Sequence, residues 1–297
     1  MRRNLNENDW KRLLERIKTG KCTPFLGAGA CFGTLPLGRD IAQEWAKEYG
    51  FPLGEEDSGD LMRVSQFLAV DQDPMFPKEL IIDMFKDVKP PDFVAKDEAH
   101  GILASLPLPI YITTNYDDFM VQALSRVNKK PNQEICRWNK YVRNEESVFD
   151  NPDFNADGGN PVVFHLHGNT KVPESIVLTE DDYLDFLVNV SRDQQIIPPR
   201  IQQALTGASL LFIGYRIADW NFRVLFRSLV TYLELAIKRN HVSVQIFPLG
   251  DETADSQKEK ALEYLDKYFK SLQTLVYWGT GQEFTLELRE RWEKFNK

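Results

Sequence analysis

Apolar positions along the chain follow two periods that alternate. Residues 7–18 carry Trp10, Leu13, Leu14 and Ile17 at helical spacing among polar neighbours, which predicts an amphipathic helix. The apolar run Cys22-Thr-Pro-Phe-Leu26 predicts a short buried strand, and Gly27-Ala-Gly-Ala-Cys-Phe-Gly33 follows it as a turn. A second helix is expected from about 38 to 49. From about 55 to 105 the pattern is helical, broken by Pro74, Pro77, Pro90 and Pro91, with no strand signal. That stretch reads as a helical insertion or lid. Strand patterns return at 109–114 and 160–165, separated by a polar loop over 128–159 with some strand around 134–138. Helices are predicted at 178–190 and 194–205, with Pro198 and Pro199 blurring the start of the second. The run 208–215 reads as a buried strand. Asp219 caps a predicted helix over 219–238. Strand 241–247, helix 255–269, strand 271–277 and helix 284–295 complete the pattern.

Strands that alternate with helices imply a mainly parallel sheet covered on both faces, an α/β fold of Rossmann-like type. No internal repeat, low-complexity tract or linker divides the chain, so residues 1–297 read as a single domain with its helical insertion at about 55–105. Composition narrows the function classes. Hydrophobic residues make up 42% and charged residues 27% of the 297, ordinary globular usage. Lys+Arg total 36 against Asp+Glu 44, a net charge of -8. That balance argues against a sequence-independent grip on nucleic acid, which needs surplus cations. No apolar run approaches the roughly 20 residues of a membrane span. The first sixteen residues are charged throughout and lack a signal-peptide core. Three cysteines, Cys22, Cys31 and Cys136, cannot complete a four-cysteine zinc site. The expectation is a reduced, cytoplasmic chain.

Chemistry concentrates where strands end, the place parallel sheets reserve for ligands. Gly27-Ala-Gly29 follows the first strand. Such a turn lets backbone N–H groups approach a pyrophosphate, although a plain tight turn explains it equally. No acidic residue ends a second strand about 20 residues later, which speaks against a dehydrogenase. Asn115 and Asp117 follow the next strand; both types also cap helices. His167-Gly168 follows another. A histidine there can act as a general base, and a lone one is more often structural. His165 is expected on the same face as a competitor, while His100 and His241 lie in no motif. Arg39 can meet a phosphate or form a surface salt bridge.

The order of these elements carries more than any one of them. Gly-Ala-Gly at a strand end, Thr113-Thr-Asn-Tyr-Asp117, His165-Leu-His-Gly168 and Phe212-Ile-Gly-Tyr215 together resemble the sirtuin-type NAD-binding fold, in its bacterial sirtuin-like branch. Ile176-Val-Leu-Thr-Glu-Asp-Asp-Tyr183 and the stretch 211–223 resemble later motifs of that branch. The likeness runs from about residue 15 to 280.

The resemblance implies that Gly27, Ala28 and Gly29 line the NAD diphosphate. It implies that Asn115 and Asp117 sit by the nicotinamide ribose and that His167 contacts a ribose hydroxyl. Gly214 and Tyr215 would close around the adenosine side. Three departures bear on the reaction. The four-cysteine zinc module of the family's protein deacetylases is missing, so no zinc is expected. Thr114 stands where the family has Gln before the Asn. The segment after the glycine turn is altered to Gly33-Thr-Leu-Pro-Leu-Gly-Arg39. Water is the simplest acceptor left, which implies an NAD+ glycohydrolase with NAD as substrate. Bacterial relatives of this type deplete NAD in antiphage defence. The alternatives are an NAD-dependent protein deacylase and a nucleotide-binding sensor or scaffold without turnover. Control through assembly is expected: a homo-oligomer docked on a HerA-type ATPase, or alternatively on an Argonaute-like protein.

Overall fold

The computed structural model describes residues 5–215, 224, 241–245 and 255–297. Seven strands form one parallel sheet: β1 (Cys22–Leu26), β2 (Ile110–Thr113), β3 (Asn132–Ile135), β4 (Val162–His165), β5 (Ser209–Ile213), β6 (His241–Gln245) and β7 (Thr274–Trp278). Their order across the sheet is β3-β4-β2-β1-β5-β6-β7. The chain leaves β1 toward β2 on one side and returns at β5 on the other, so β1 stands at the switch in strand order where open α/β sheets form a crevice.

Ten α-helices are found among the described residues: α1 (Glu7–Lys18), α2 (Gly38–Glu48), α3 (Leu61–Asp71), α4 (Phe76–Lys86), α5 (Ala99–Ser105), α6 (Phe119–Arg126), α7 (Glu180–Arg192), α8 (Pro199–Gly207), α9 (Asp255–Ser271) and α10 (Gly281–Phe295). Period-two alternation sorts the strand residues between two cores. Tyr111, Val163, Leu211 and Ile213 face a cluster built with α1, α5, α6 and α10. Ile112, Phe164, Leu210 and Phe212 face a second cluster built with α7, α8 and α9. Each large apolar side chain buried this way contributes on the order of 1.5–3 kcal/mol. A third cluster joins α2, α3 and α4 through Trp45, Leu68 and Ile81, and rests on Ile176 and Leu178. Lys78 on α4 reaches Asp182 on α7 at 3.0 Å, an ion pair almost sealed from solvent that pins α4 to the sheet's helical layer.

Local chemistry explains the element ends. Asn6 accepts from the N–H groups of Asn8 and Asp9 to cap α1, and Asp9 caps back. Pro24 sits inside a central strand, a rare position. Gly27 N–H donates to Ile213 O on β5, so by alternation Pro24 turns its nitrogen toward β2, and pairing with β2 begins only at Phe25. The helix expected at 194–205 splits. Gln194–Ile196 is a 3-10 turn, and α8 starts afresh with Pro199 as its first residue, because a proline cannot serve as an internal donor. The strand expected at 134–138 is paired two residues earlier, at Asn132–Ile135 against β4. The strand expected at 271–277 begins at Thr274, since α9 runs on to Ser271. The helix expected at 219–238 lies outside the described residues.

Candidate functional site

The carboxyl ends of β1, β2 and β5 meet in one hydrogen-bonded assembly. After β1 the chain enters a four-residue 3-10 turn, Ala28–Cys31, and α2 starts only at Gly38. No long helix dipole therefore opens directly behind the glycines. Their N–H groups are already engaged: Gly27 donates to Ile213 O at 2.9 Å and Gly29 to Gly214 O at 3.0 Å. The glycines instead permit close approach. A Cβ on Gly27 would lie 2.7 Å from the ring of Tyr215. Gly214 has φ +85°, and a Cβ there would fall 2.3 Å from Ala30 N and 2.5 Å from Gly27 O. Within the turn Ala28 is exposed.

Tyr215 closes this assembly. Its hydroxyl donates to Leu26 O at 2.8 Å and pairs with Thr114 Oγ1 at 2.7 Å, while Gln245 Nε2 at the end of β6 donates to its carbonyl at 2.9 Å. Thr114 thus holds the tyrosine in place. Asn115 follows. Its backbone N–H donates to Thr113 Oγ1, and its side-chain Nδ2 donates to Gly27 O at 3.1 Å and to Cys31 Sγ at 3.3 Å. Asp117, one residue before the N-cap Asp118, accepts from Phe119 N–H at the start of α6 at 2.9 Å, and its other oxygen accepts from the Cys31 thiol at 3.3 Å.

The two histidines at the end of β4 part company. Gly168 N–H bonds back to His165 O at 3.3 Å, and this turn ends the alternation that would have kept them on one face. His165 is inside the network: Nδ1 lies 3.1 Å from Asn115 O and Nε2 lies 3.0 Å from Gln133 Nε2. Those contacts suit a neutral ring that donates from Nδ1 and accepts at Nε2. Burial holds its pKa below the ordinary value. His167 instead sets its ring edge-on to Phe186 at 5.2 Å and Tyr183 at 6.1 Å. Burial lowers its pKa to about 4, and its Nε2 is buried without a hydrogen-bond partner among the described residues. The imidazole is neutral at pH 7 with hydrogen-bonding capacity unused. Arg39 is exposed on α2, its stem against Gly59.

Sequence patterns passed over one group. Cys31 is buried between Asn115 and Asp117, and His100 Nε2 lies 4.0 Å from its sulfur. Glu98 holds His100 Nδ1 at 2.7 Å and caps α5 through the N–H groups of His100 and Gly101. Cys31, His100 and Asp117 each bring a possible ligand atom within 4.8 Å of the others. His100 sits 69 residues from Cys31 in a stretch without a motif, so only folding joins them. No helix among the described residues is long and apolar enough to cross a membrane.

The SIR2-like domain family matches residues 109–270. An NAD(+) hydrolase ThsA of Cytobacillus dafuensis is 26% identical over 211 residues, covering 70% of this chain and 38% of that protein. The NAD(+) hydrolase ThsA of Enterococcus faecium is 24% identical over 214 residues, covering 71% and 40%. That of Acinetobacter baumannii is 28% identical over 122 residues, covering 41% and 22%. The chain thus spans about two fifths or less of the length of these relatives. A solved Sir2 enzyme structure superposes with a TM-score of 0.42 at 11% identity, covering 98% of this chain and 99% of that one.

Proposed function

The chain belongs to the SIR2-like domain family, and from that premise we propose that it hydrolyses NAD+ to nicotinamide and ADP-ribose. The observation that carries this reading is the convergence of the glycine turn, the Asn115 amide and the Tyr215 ring at the strand-order switch. The matched relatives named NAD(+) hydrolases support the same chemistry.

Cleavage of the C1′–nicotinamide bond sends the bonding pair to the pyridine nitrogen and leaves oxocarbenium character on the ribose. Water then bonds to C1′ and loses a proton. Nicotinamide leaves neutral, so the site has no leaving-group proton to supply. It has to hold the ribose and stabilise the developing cation with fixed dipoles. Asn115 does this with an amide whose nitrogen is tied down on two sides. Asp117, anchored through Phe119 N–H and Cys31, adds negative charge close by. Neutral His167 is assigned to a ribose hydroxyl by its place after β4; its Nε2 is enclosed in this structure, so the contact requires the ring to turn. Thr114, Tyr215 and Gly214 shape the wall against which Gly27–Gly29 receive the rest of the dinucleotide. Depletion of the NAD pool in antiphage defence is the biological role we attach to this activity.

The test is incubation of stoichiometric purified protein with NAD+, with nicotinamide and ADP-ribose measured chromatographically, with and without an acyl-lysine peptide. Release of both products without peptide supports hydrolysis. Release that requires the peptide, or no release in either arm even with a co-expressed HerA-type ATPase or Argonaute-like protein present, refutes it.

A further inference from the structure

Cys31 lies at the junction of the β1 turn and the end of β2, and it explains something that the reaction requires of Asn115. A side-chain amide has two N–H donors on one side and an acceptor oxygen on the other. Both donors of Asn115 have acceptors here: Gly27 O at 3.1 Å and Cys31 Sγ at 3.3 Å. A flipped amide would set Oδ1 against the Gly27 carbonyl, acceptor against acceptor, and lose both bonds. In the observed orientation Oδ1 makes no hydrogen bond to a described residue and is not sealed in the interior.

The sulfur can hold Asn115 only if its own proton points elsewhere. Asp117 Oδ2, 3.3 Å away, accepts a hydrogen bond from that S–H. Burial, and next the Asp117 carboxylate, push the thiol's pKa well above its ordinary value, so the proton stays on sulfur. On the far side, His100 is held by Glu98, which leaves the thiol nothing but a 4.0 Å contact with His100 Nε2.

Resting on the NAD+-cleavage reading, we propose that Cys31 is a positioning residue: its thiol accepts from Asn115 and donates to Asp117, fixing Asn115 Oδ1 toward the nicotinamide ribose. Cys31 touches no reacting atom. Its loss frees the amide to turn, and misplacement of a polar group by about 1 Å costs on the order of 100-fold in rate.

Steady-state nicotinamide release from NAD+ by the wild type and by Cys31→Ser, Cys31→Ala and Cys31→Val tests this. Serine keeps a donor and an acceptor; valine fills the space and keeps neither. Serine is expected to hold kcat within about threefold, while alanine and valine lose roughly 10- to 100-fold in kcat with KM changed less than about threefold. Valine matching the wild type, or serine failing as alanine does, would overturn the proposal. A second measurement needs no variant to be active. In wild-type protein labelled with 15N-asparagine, the Asn115 side-chain amide, assigned by its loss in Asn115→Asp, should exchange slowly with solvent. Rapid exchange overturns the positioning. An inactive wild type with a protected amide would refute the cleavage reading alone.

Discussion

Gly214 and Gly33 share a backbone conformation and differ in surroundings, so one substitution at each separates two physical costs. Gly214 has φ +85° and Gly33 has φ +87°. An alanine in this left-handed region costs roughly 1–2 kcal/mol at either place. Nothing lies within 4 Å of a Cβ built on Gly33, so Gly33→Ala stops at that cost. At Gly214 the new carbon would fall 2.3 Å from Ala30 N and 2.5 Å from Gly27 O. Both are backbone atoms of the glycine turn, held by the bond from Gly29 N–H to Gly214 O. Relief means separating the β1 and β5 turns, which adds on the order of 1–3 kcal/mol by overpacking alone. At about 2 °C per kcal/mol for a domain of this size, Gly33→Ala should lower the melting temperature by roughly 2–4 °C and Gly214→Ala by roughly 4–10 °C. Calorimetry on the two variants under one buffer and scan rate gives both numbers. Melting temperatures within 2 °C of each other would refute the close-approach reading of the β1–β5 junction. The same displacement should depress NAD+ cleavage in Gly214→Ala, because Tyr215 and the turn move with it.

Asn115→Ala and His167→Ala should each cut nicotinamide release by roughly 10²–10⁴-fold with the melting curve kept cooperative; near wild-type rates in both would remove them from the site. Acid should destabilise the protein. His167 and His241 are held at about 4 in the fold against 6.5 when free, so the unfolded chain binds more protons between those values and stability falls as pH drops from about 6.5 to about 4. The urea midpoint should therefore fall between pH 7 and pH 5, and fall less in His167→Asn; a flat profile contradicts the burial argument. Removing one partner of the enclosed Lys78–Asp182 pair, as in Asp182→Asn, should cost on the order of 3 kcal/mol, and the double variant with Lys78→Met should recover part of it; additive losses in a double-mutant cycle would show the pair is not coupled. Assembly is proposed as the means of control: light scattering should find a homo-oligomer, and a monomer whose activity no co-expressed ATPase or Argonaute-like protein alters would refute that.

Periodicity marked the buried strands, while the polar strand Asn132–Ile135 was expected two residues late and the last strand three residues early. Runs such as Ser209–Ile213 are buried on both faces, and a strand covered on both sides must be apolar throughout, so it is visible in the letters. The helix of residues 7–18 was legible to its last residue because an Asn cap and an apolar stripe mark it locally. Strand-end positions for Asn115, Asp117 and the glycine turn followed from the same runs. What the sequence could not reveal is everything that depends on contacts across many residues. Alternation put His165 and His167 together, but a turn at Gly168 sends one ring to Asn115 and the other to Phe186. The glycines suggested free N–H groups for a phosphate, yet β5 binds them, and their missing side chains serve the Tyr215 ring. Cys31, His100 and Glu98 carried no motif, because a hydrogen-bond network has no period along the chain. Parallel strands place residues 31, 100 and 117 side by side only after crossovers of dozens of residues close, and that proximity is decided by tertiary packing alone.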